Sequence, residues 1–238
     1  MSATVSHSLL VEARDVAKTF GQGDLATSVL SGVSFALPPG ELTLLMGPSG
    51  SGKTTLISIL AGVMRPSSGQ VMLCGHTITS LNENDISRVR RRNLGFVFQT
   101  DNLFPALTAL DNVAEVLILK KTPRDQARRL ATRALENVGL GARLHHRPAQ
   151  LSGGQRQRVA IARALAGDPT LVIGDEVTSA LDGASATTVM QLLRNYVTPK
   201  TSALIVTHDY RLERFADRIV RLEDGKIVRD CAVLEKCS

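Results

Sequence analysis

The 238-residue chain is long enough to bury a full core as one large domain, and its 43% hydrophobic and 21% charged residues exclude a disordered protein. A formal charge of +6 permits contact with nucleic acid, anionic lipid or phosphorylated ligands and selects none of them. The absence of Trp, with aromatics at only 3%, argues against a base-stacking platform, and no uncharged run approaches the roughly eighteen apolar residues of a membrane helix.

Residues 1–7 carry no basic-then-apolar pattern, so no secretion leader is expected. Residues 8–15 and 29–37 read as strands, with a looser segment over 21–27 and a turn at Pro38, Pro39 and Gly40. A strand over 42–46 feeds a glycine-rich loop and then an apolar helix. Pro66 to Gly69 breaks the chain, and 70–73 forms a short strand ending at Cys74 and Gly75. A short helix over 84–92 carries the strongest charge cluster, Arg88, Arg90, Arg91 and Arg92. By default that cluster is a solvated face, with lipid headgroups or a partner's acids as the alternative. A strand over 94–98 stops at Gln99.

Helical character then takes over. Thr108 with Asp111, and Thr122 with Pro123 and Asp125, mark two helix starts. Ala127, Leu130, Ala131, Ala134, Leu135 and Val138 follow the spacing of one buried face. Alternation returns with a helix over 152–166, a strand over 171–174, a helix over 182–197, a strand over 203–206 and two strands flanking Asp224 and Gly225. Short apolar strands suit a parallel sheet covered on both faces. The expected class is therefore α/β, with a strand-rich opening third and an α-helical insertion over about residues 100–150. Cys74, Cys231 and Cys237 are an odd number without metal-ligand spacing, which fits a reducing compartment.

Three stretches carry chemistry. The run Gly47, Pro48, Ser49, Gly50, Ser51, Gly52, Lys53, Thr54, Thr55, placed between strand and helix, has the form of a phosphate-binding P-loop. Its glycines let successive N–H groups converge on a phosphate at a helix N-terminus, Lys53 reaches the β- and γ-phosphates, and the Thr54 hydroxyl ligates Mg²⁺. Asp175 and Glu176, at the end of an apolar strand, suit the Mg²⁺ shell and the attacking water respectively. Ser152 and Gln155 have capping-box spacing, and Gly153 and Gly154 leave first-turn N–H groups uncovered, a second anion-binding helix start.

With these motifs in this order, the chain resembles the ATP-binding subunit of an ABC transporter over roughly residues 10–230. The resemblance implies an α/β fold in a single domain: a P-loop core with an N-terminal antiparallel β subdomain, from residues 1–99 and 153–238, and an inserted α-helical signature subdomain over 100–152. The resemblance identifies residues 47–54 as the Walker A motif, Gln99 as the Q-loop, 151–155 as the signature and 171–176 as Walker B with catalytic Glu176. It also identifies 179–182, ending in Asp182, as the D-loop, His208 as the switch histidine and Phe20 as the adenine-stacking aromatic. It implies ATP and Mg²⁺ as cofactors, with Thr54, Gln99 and Asp175 around the metal and Lys53, Gln99, Glu176 and His208 in catalysis. Taken singly, Gln99, His208 and Phe20 read as a strand-end polar residue, a loop histidine and a core aromatic. Two copies, or this chain and a related ATPase, are expected to pair head to tail, each signature closing on the other's ATP.

The segment 96–113 is similar to the lipoprotein-releasing, macrolide-exporting and cell-division branch. That similarity implies separate integral membrane permease subunits, a possible periplasmic adaptor, a peripheral place on the cytoplasmic face of the inner membrane, and a role in export or mechanical transmission. Leu103, Phe104, Leu107 and Leu110 are candidates for a permease groove or for helical core. A regulatory ATPase without solute transport is the alternative. A nucleic-acid or ribosome-associated ATPase is disfavoured, since the double cassette, coiled coil and zinc insertion typical of such proteins are not found, and no nucleic-acid partner is expected. Val177 and Gly174 stand where the family commonly has proline and alanine, so the turn after Glu176 is expected to be loosened.

Overall fold

A computed structural model of the protein describes residues 9–179 and 181–233. Ser8, Ala180 and Cys237 lie outside the described residues, as does the 1–7 segment. In chain order the elements are β1 (Val11–Phe20), β2 (Thr27–Leu37), β3 (Leu42–Met46), α1 (Lys53–Leu60), β4 (Ser68–Leu73), β5 (His76–Thr77), α2 (Glu83–Asn93) and β6 (Leu94–Val97). There follow α3 (Ala109–Leu119), α4 (Arg124–Asn137), α5 (Gly153–Leu165), β7 (Leu171–Asp175), α6 (Gly183–Tyr196), β8 (Ser202–Val206), β9 (Arg218–Glu223) and β10 (Lys226–Ala232).

The strands make two sheets. A four-stranded antiparallel sheet has the order β2-β1-β4-β5, and a six-stranded sheet has the order β10-β9-β3-β8-β7-β6, parallel except for β10. Side chains alternate across the larger sheet. Leu44, Val172 and Ile205 join the core under α3, α4, α5 and α6, while Leu45, Ile173, Leu204 and Val206 join the core shared with α1 and the antiparallel sheet. Both faces are covered, which is why β3, β7 and β8 read as uninterrupted buried runs. Their C-terminal ends converge on one edge, where the glycine loop and the two carboxylates sit.

Two local expectations are corrected. β1 runs past Asp15 to Phe20, because Asp15 takes a left-handed φ of 49° at a register shift and the chain resumes pairing beyond it. On α4, Ala127, Ala131 and Leu135 are fully buried but Leu130 is 38% exposed: it lies at the edge of the arc that these residues define. Among the described residues Cys74 is a half-buried free thiol.

Candidate functional site

The loop after β3 and the start of α1 form the floor of a cleft of about 560 Å³. Gly52 caps α1 at φ 98°, and a Cβ there would lie 2.9 Å from both Leu30 Cδ2 and Val29 O, so only glycine fits this crossing over β2. No side chain caps α1, which leaves its first N–H groups directed at the cleft. Lys53 is 9% exposed, and its Nζ donates to the Gly47 and Pro48 carbonyls at 2.9 and 2.7 Å. Burial lowers its pKa, opposed by the nearby Glu176 and Asp175 carboxylates.

Asp175, at the end of β7, accepts a hydrogen bond from Thr54 Oγ1 at 2.9 Å through Oδ2, while Oδ1 is buried without a hydrogen-bond partner. Burial raises its pKa, the Thr54 bond and Lys53 pull it down, and Glu176 adds to the rise. A buried carboxylate with one orphaned oxygen beside a hydroxyl is a donor set suited to a hard divalent cation. Glu176 follows at φ 51°, its N–H donating to Val206 O at 3.0 Å. Its carboxylate meets His208 Nδ1 at 2.8–2.9 Å. The ends of β7 and β8 thus place an acid and an imidazole together on the rim.

The structure gathers Gly47, Ser49, Gly50, Gly52, Lys53, Thr54, Thr55, Gln99, Asp175, Glu176 and His208 around the cleft. Pro48 contributes its carbonyl to Lys53, and Ser51 is buried within the loop with an unpartnered Oγ. Phe20 does not line the cleft: it ends β1, is 42% exposed, and carries Lys18 Nζ 5.0 Å from its ring. Ser152, Gly153, Gly154, Gln155 and Asp182 do not line it either. Ser152 Oγ accepts from Gln155 N–H at 3.2 Å and Gln155 Oε1 accepts from Ser152 N–H at 2.9 Å, the reciprocal box that the spacing predicts. Asp182 caps α6 through the Ser185 N–H at 2.9 Å, and that bond above all lowers its pKa.

No sequence pattern predicts the contacts that join the segment after Gln99 to the helix behind Ser152. Arg156, one turn into α5, pairs with Asp101 at 2.8 Å, and Arg163 donates to the Asn102 and Asp101 carbonyls at 2.6 and 2.9 Å. Asn112 is fully buried; it accepts from Phe104 N–H at 2.8 Å and donates to the Thr108 carbonyl at 2.9 Å, fixing the turn that leads into α3. The partners of the two arginines are 55 to 62 positions away, beyond any local pattern.

In the turn after Glu176, closed by the Ser179 N–H donating to the Glu176 carbonyl at 3.0 Å, the Val177 side chain joins the core under the helices. It is 1% exposed, and a Cβ added to Gly174 would lie 2.5 Å from Val177 Cγ1, so the valine branch occupies the space an alanine methyl would need. Gly174→Ala is therefore expected to lower ATP turnover about tenfold by displacing the residue beside Glu176. In a Val177→Ala background the same methyl should be nearly neutral. A double-mutant cycle on steady-state rates checks this, and additive effects contradict it.

A strand, glycine loop and helix beside a buried acidic strand end, at the centre of a parallel sheet, define a P-loop nucleotide hydrolase. Residues 30–179 match the family model for ABC transporters, and the chain belongs to that family as an ATP-hydrolysing cassette. It is 45% identical over 225 residues to the lipoprotein-releasing system ATP-binding protein LolD of Pseudomonas fluorescens, across 94% of this chain and 99% of that protein. It is 43% identical over 221 residues to the macrolide export ATP-binding/permease protein MacB of Marinobacter nauticus, but spans only 34% of that longer protein. Among solved structures it superposes on the ATP-binding cassette MJ0796, in a dimeric post-hydrolysis state bound to ADP and Pi. That match has a TM-score of 0.89 and 38% identity, and it covers 94% of this chain and 98% of that one.

Proposed function

We propose that two copies of this cassette close head to tail around two ATP molecules and drive a separate membrane permease in export or mechanical work across the envelope. The observation that carries this reading is the separation of Ser152, Gly153, Gly154, Gln155 and Asp182 from the cleft around Lys53. One chain holds two anion-binding helix starts that do not meet, and a second copy can bring them together. The dimeric MJ0796 structure supports the same arrangement.

Within each half-site, Gly47 to Thr55 cradle the phosphates, Lys53 leaves the loop carbonyls for the terminal phosphates, and Phe20 stacks on the base. Thr54, Asp175 and Gln99 would hold Mg²⁺, which when bound screens phosphate charge. Glu176 takes the proton of the attacking water, and His208, hydrogen-bonded to it, holds that carboxylate while facing the terminal phosphate.

Phe104 is 57% exposed beside the buried Leu103 and Leu110, so of the candidate apolar residues it is the one free to meet a permease, with Leu107 half-buried. Movement of Gln99 would reach that surface through Asp101 and the α5 arginines. No helix among the described residues is long and apolar enough to cross a membrane; in this reading the partner supplies the span and the cassette sits on its cytoplasmic face. Purified from detergent-solubilised membranes, the chain should bring down an integral membrane subunit, and Phe104→Asp should release it without changing basal ATPase activity. Recovery of the cassette alone from those membranes would overturn the permease reading.

A further inference from the structure

The arginine-rich run on α2 is divided by the fold. Arg90 turns inward to the Gly62 carbonyl and to Ser87 Oγ. Arg88, Arg91 and Arg92 instead line a hollow of about 360 Å³ together with Lys120 and Lys121 from the end of α3 and Gly167 from the turn before β7. This hollow lies at the start of β6 and β7, the opposite end of the sheet from the cleft at Lys53. We infer that it is a binding site for a phosphate-bearing anion, separate from both helix starts.

Charge is the first argument. Two carboxylates act here: Asp85, paired with Arg88 at 2.6 Å, and Asp168, which acts on Lys120. The C-terminal ends of α2 and α3 add only about half a negative charge each. Five cations therefore face about three negative equivalents, and Arg91, Arg92 and Lys121 form no ion pair among the described residues. Arginine and lysine so placed repel one another until an anion is bound between them.

The backbone supplies a second, independent argument. Lys121 sits at φ 68°, just past the end of α3, with its N–H donating to Ile118 O at 2.8 Å and the Thr122 N–H donating to Leu117 O at 3.0 Å. That left-handed position is normally taken by glycine, which adopts it without penalty; here it bears a cation aimed at the hollow. Lys120 is fixed across the floor: its Nζ donates to Gly167 O at 2.9 Å, and a Cβ on Gly167 would meet Lys120 Cδ at 2.8 Å. Leu119, 61% exposed, forms an apolar rim. The hollow is large enough for a pyrophosphate or a phospholipid headgroup.

The test titrates inorganic pyrophosphate into the full chain by calorimetry, with saturating Mg-ADP filling the P-loop. Binding should weaken at least about tenfold in Arg91→Glu/Arg92→Glu, and should not change in Arg124→Glu/Arg129→Glu, a control pair on α4. Lys121→Gly eases the backbone while deleting a cation. It should keep or raise the melting temperature yet weaken pyrophosphate binding several-fold, a combination that a purely structural lysine would not produce. In parallel, sedimentation with phosphatidylcholine vesicles, with and without phosphatidylglycerol, separates the sources of phosphate. Selective loss of anionic-vesicle binding in the pocket variants assigns a lipid headgroup, and loss of pyrophosphate binding alone assigns a free anion. If the wild-type chain binds neither probe, or the pocket variants match the α4 control, the site does not exist.

Discussion

Glu176→Gln is expected to reduce ATP turnover by about a thousandfold or more while leaving ATP affinity within about twofold. The amide keeps the length of the side chain, and one of its atoms can still meet His208 Nδ1, now 2.8–2.9 Å from the carboxylate. What it lacks is a lone pair basic enough to take a proton from water. Asp175, Thr54 and the P-loop are untouched, so the phosphates find the same floor. Removing the carboxylate also takes one negative charge away from Lys53 and Asp175, which favours rather than opposes an anionic ligand. Single-turnover hydrolysis and equilibrium titration with ATP separate the two effects. A parallel loss of affinity and rate would move Glu176 from proton transfer to binding.

Lys53→Ala carries the opposite expectation, with ATP affinity falling at least about a hundredfold, as befits two charge-assisted hydrogen bonds of about 1.5–3 kcal/mol each. In the structure Lys53 Nζ donates to the Gly47 and Pro48 carbonyls, which return to solvent or to the loop when the side chain is deleted. Burial already disfavours the Lys53 cation, so its loss should change the melting temperature of the nucleotide-free protein little. Added ATP should then fail to raise that temperature, as it does raise it in the wild type. Calorimetric titration gives the affinity directly, and an unchanged value would contradict the P-loop assignment.

The parts of the site that could be read from the sequence are those in which a few adjacent residues dictate backbone chemistry. Residues 47–54 could bind phosphate only as a strand-to-helix turn, and that is the turn the structure contains. Ser152 and Gln155 cap α5 as their spacing requires. β3, β7 and β8 were legible as buried strands because strands covered on both faces leave no polar alternation. Roles for Gln99, His208, Phe20 and Asp182 came from family resemblance alone, since a single glutamine or histidine has many uses.

What escaped the sequence depends on partners far along the chain. The Asp101–Arg156 pair, the packing of Val177 against the space at Gly174, and the convergence of Lys120 and Lys121 on Arg91 and Arg92 all join segments that no periodicity links. Leu103 and Phe104 are equally apolar neighbours, yet one is core and the other surface, because Asn112 fixes the turn between them and α3. Leu130 failed for a related reason: small alanines let α4 approach its neighbours along a narrower face than the spacing implies.

The claim on which the rest depends is that one chain holds two halves of different sites. Its most direct test is the solution mass of the Glu176→Gln chain, by size-exclusion chromatography with light scattering, with and without ATP. The account predicts a monomer without nucleotide and the mass of two chains with ATP, and predicts that adding Gly153→Asp, which sets a carboxylate where phosphate should dock, returns it to one chain. A monomer under ATP, or a dimer indifferent to Gly153→Asp, would contradict it.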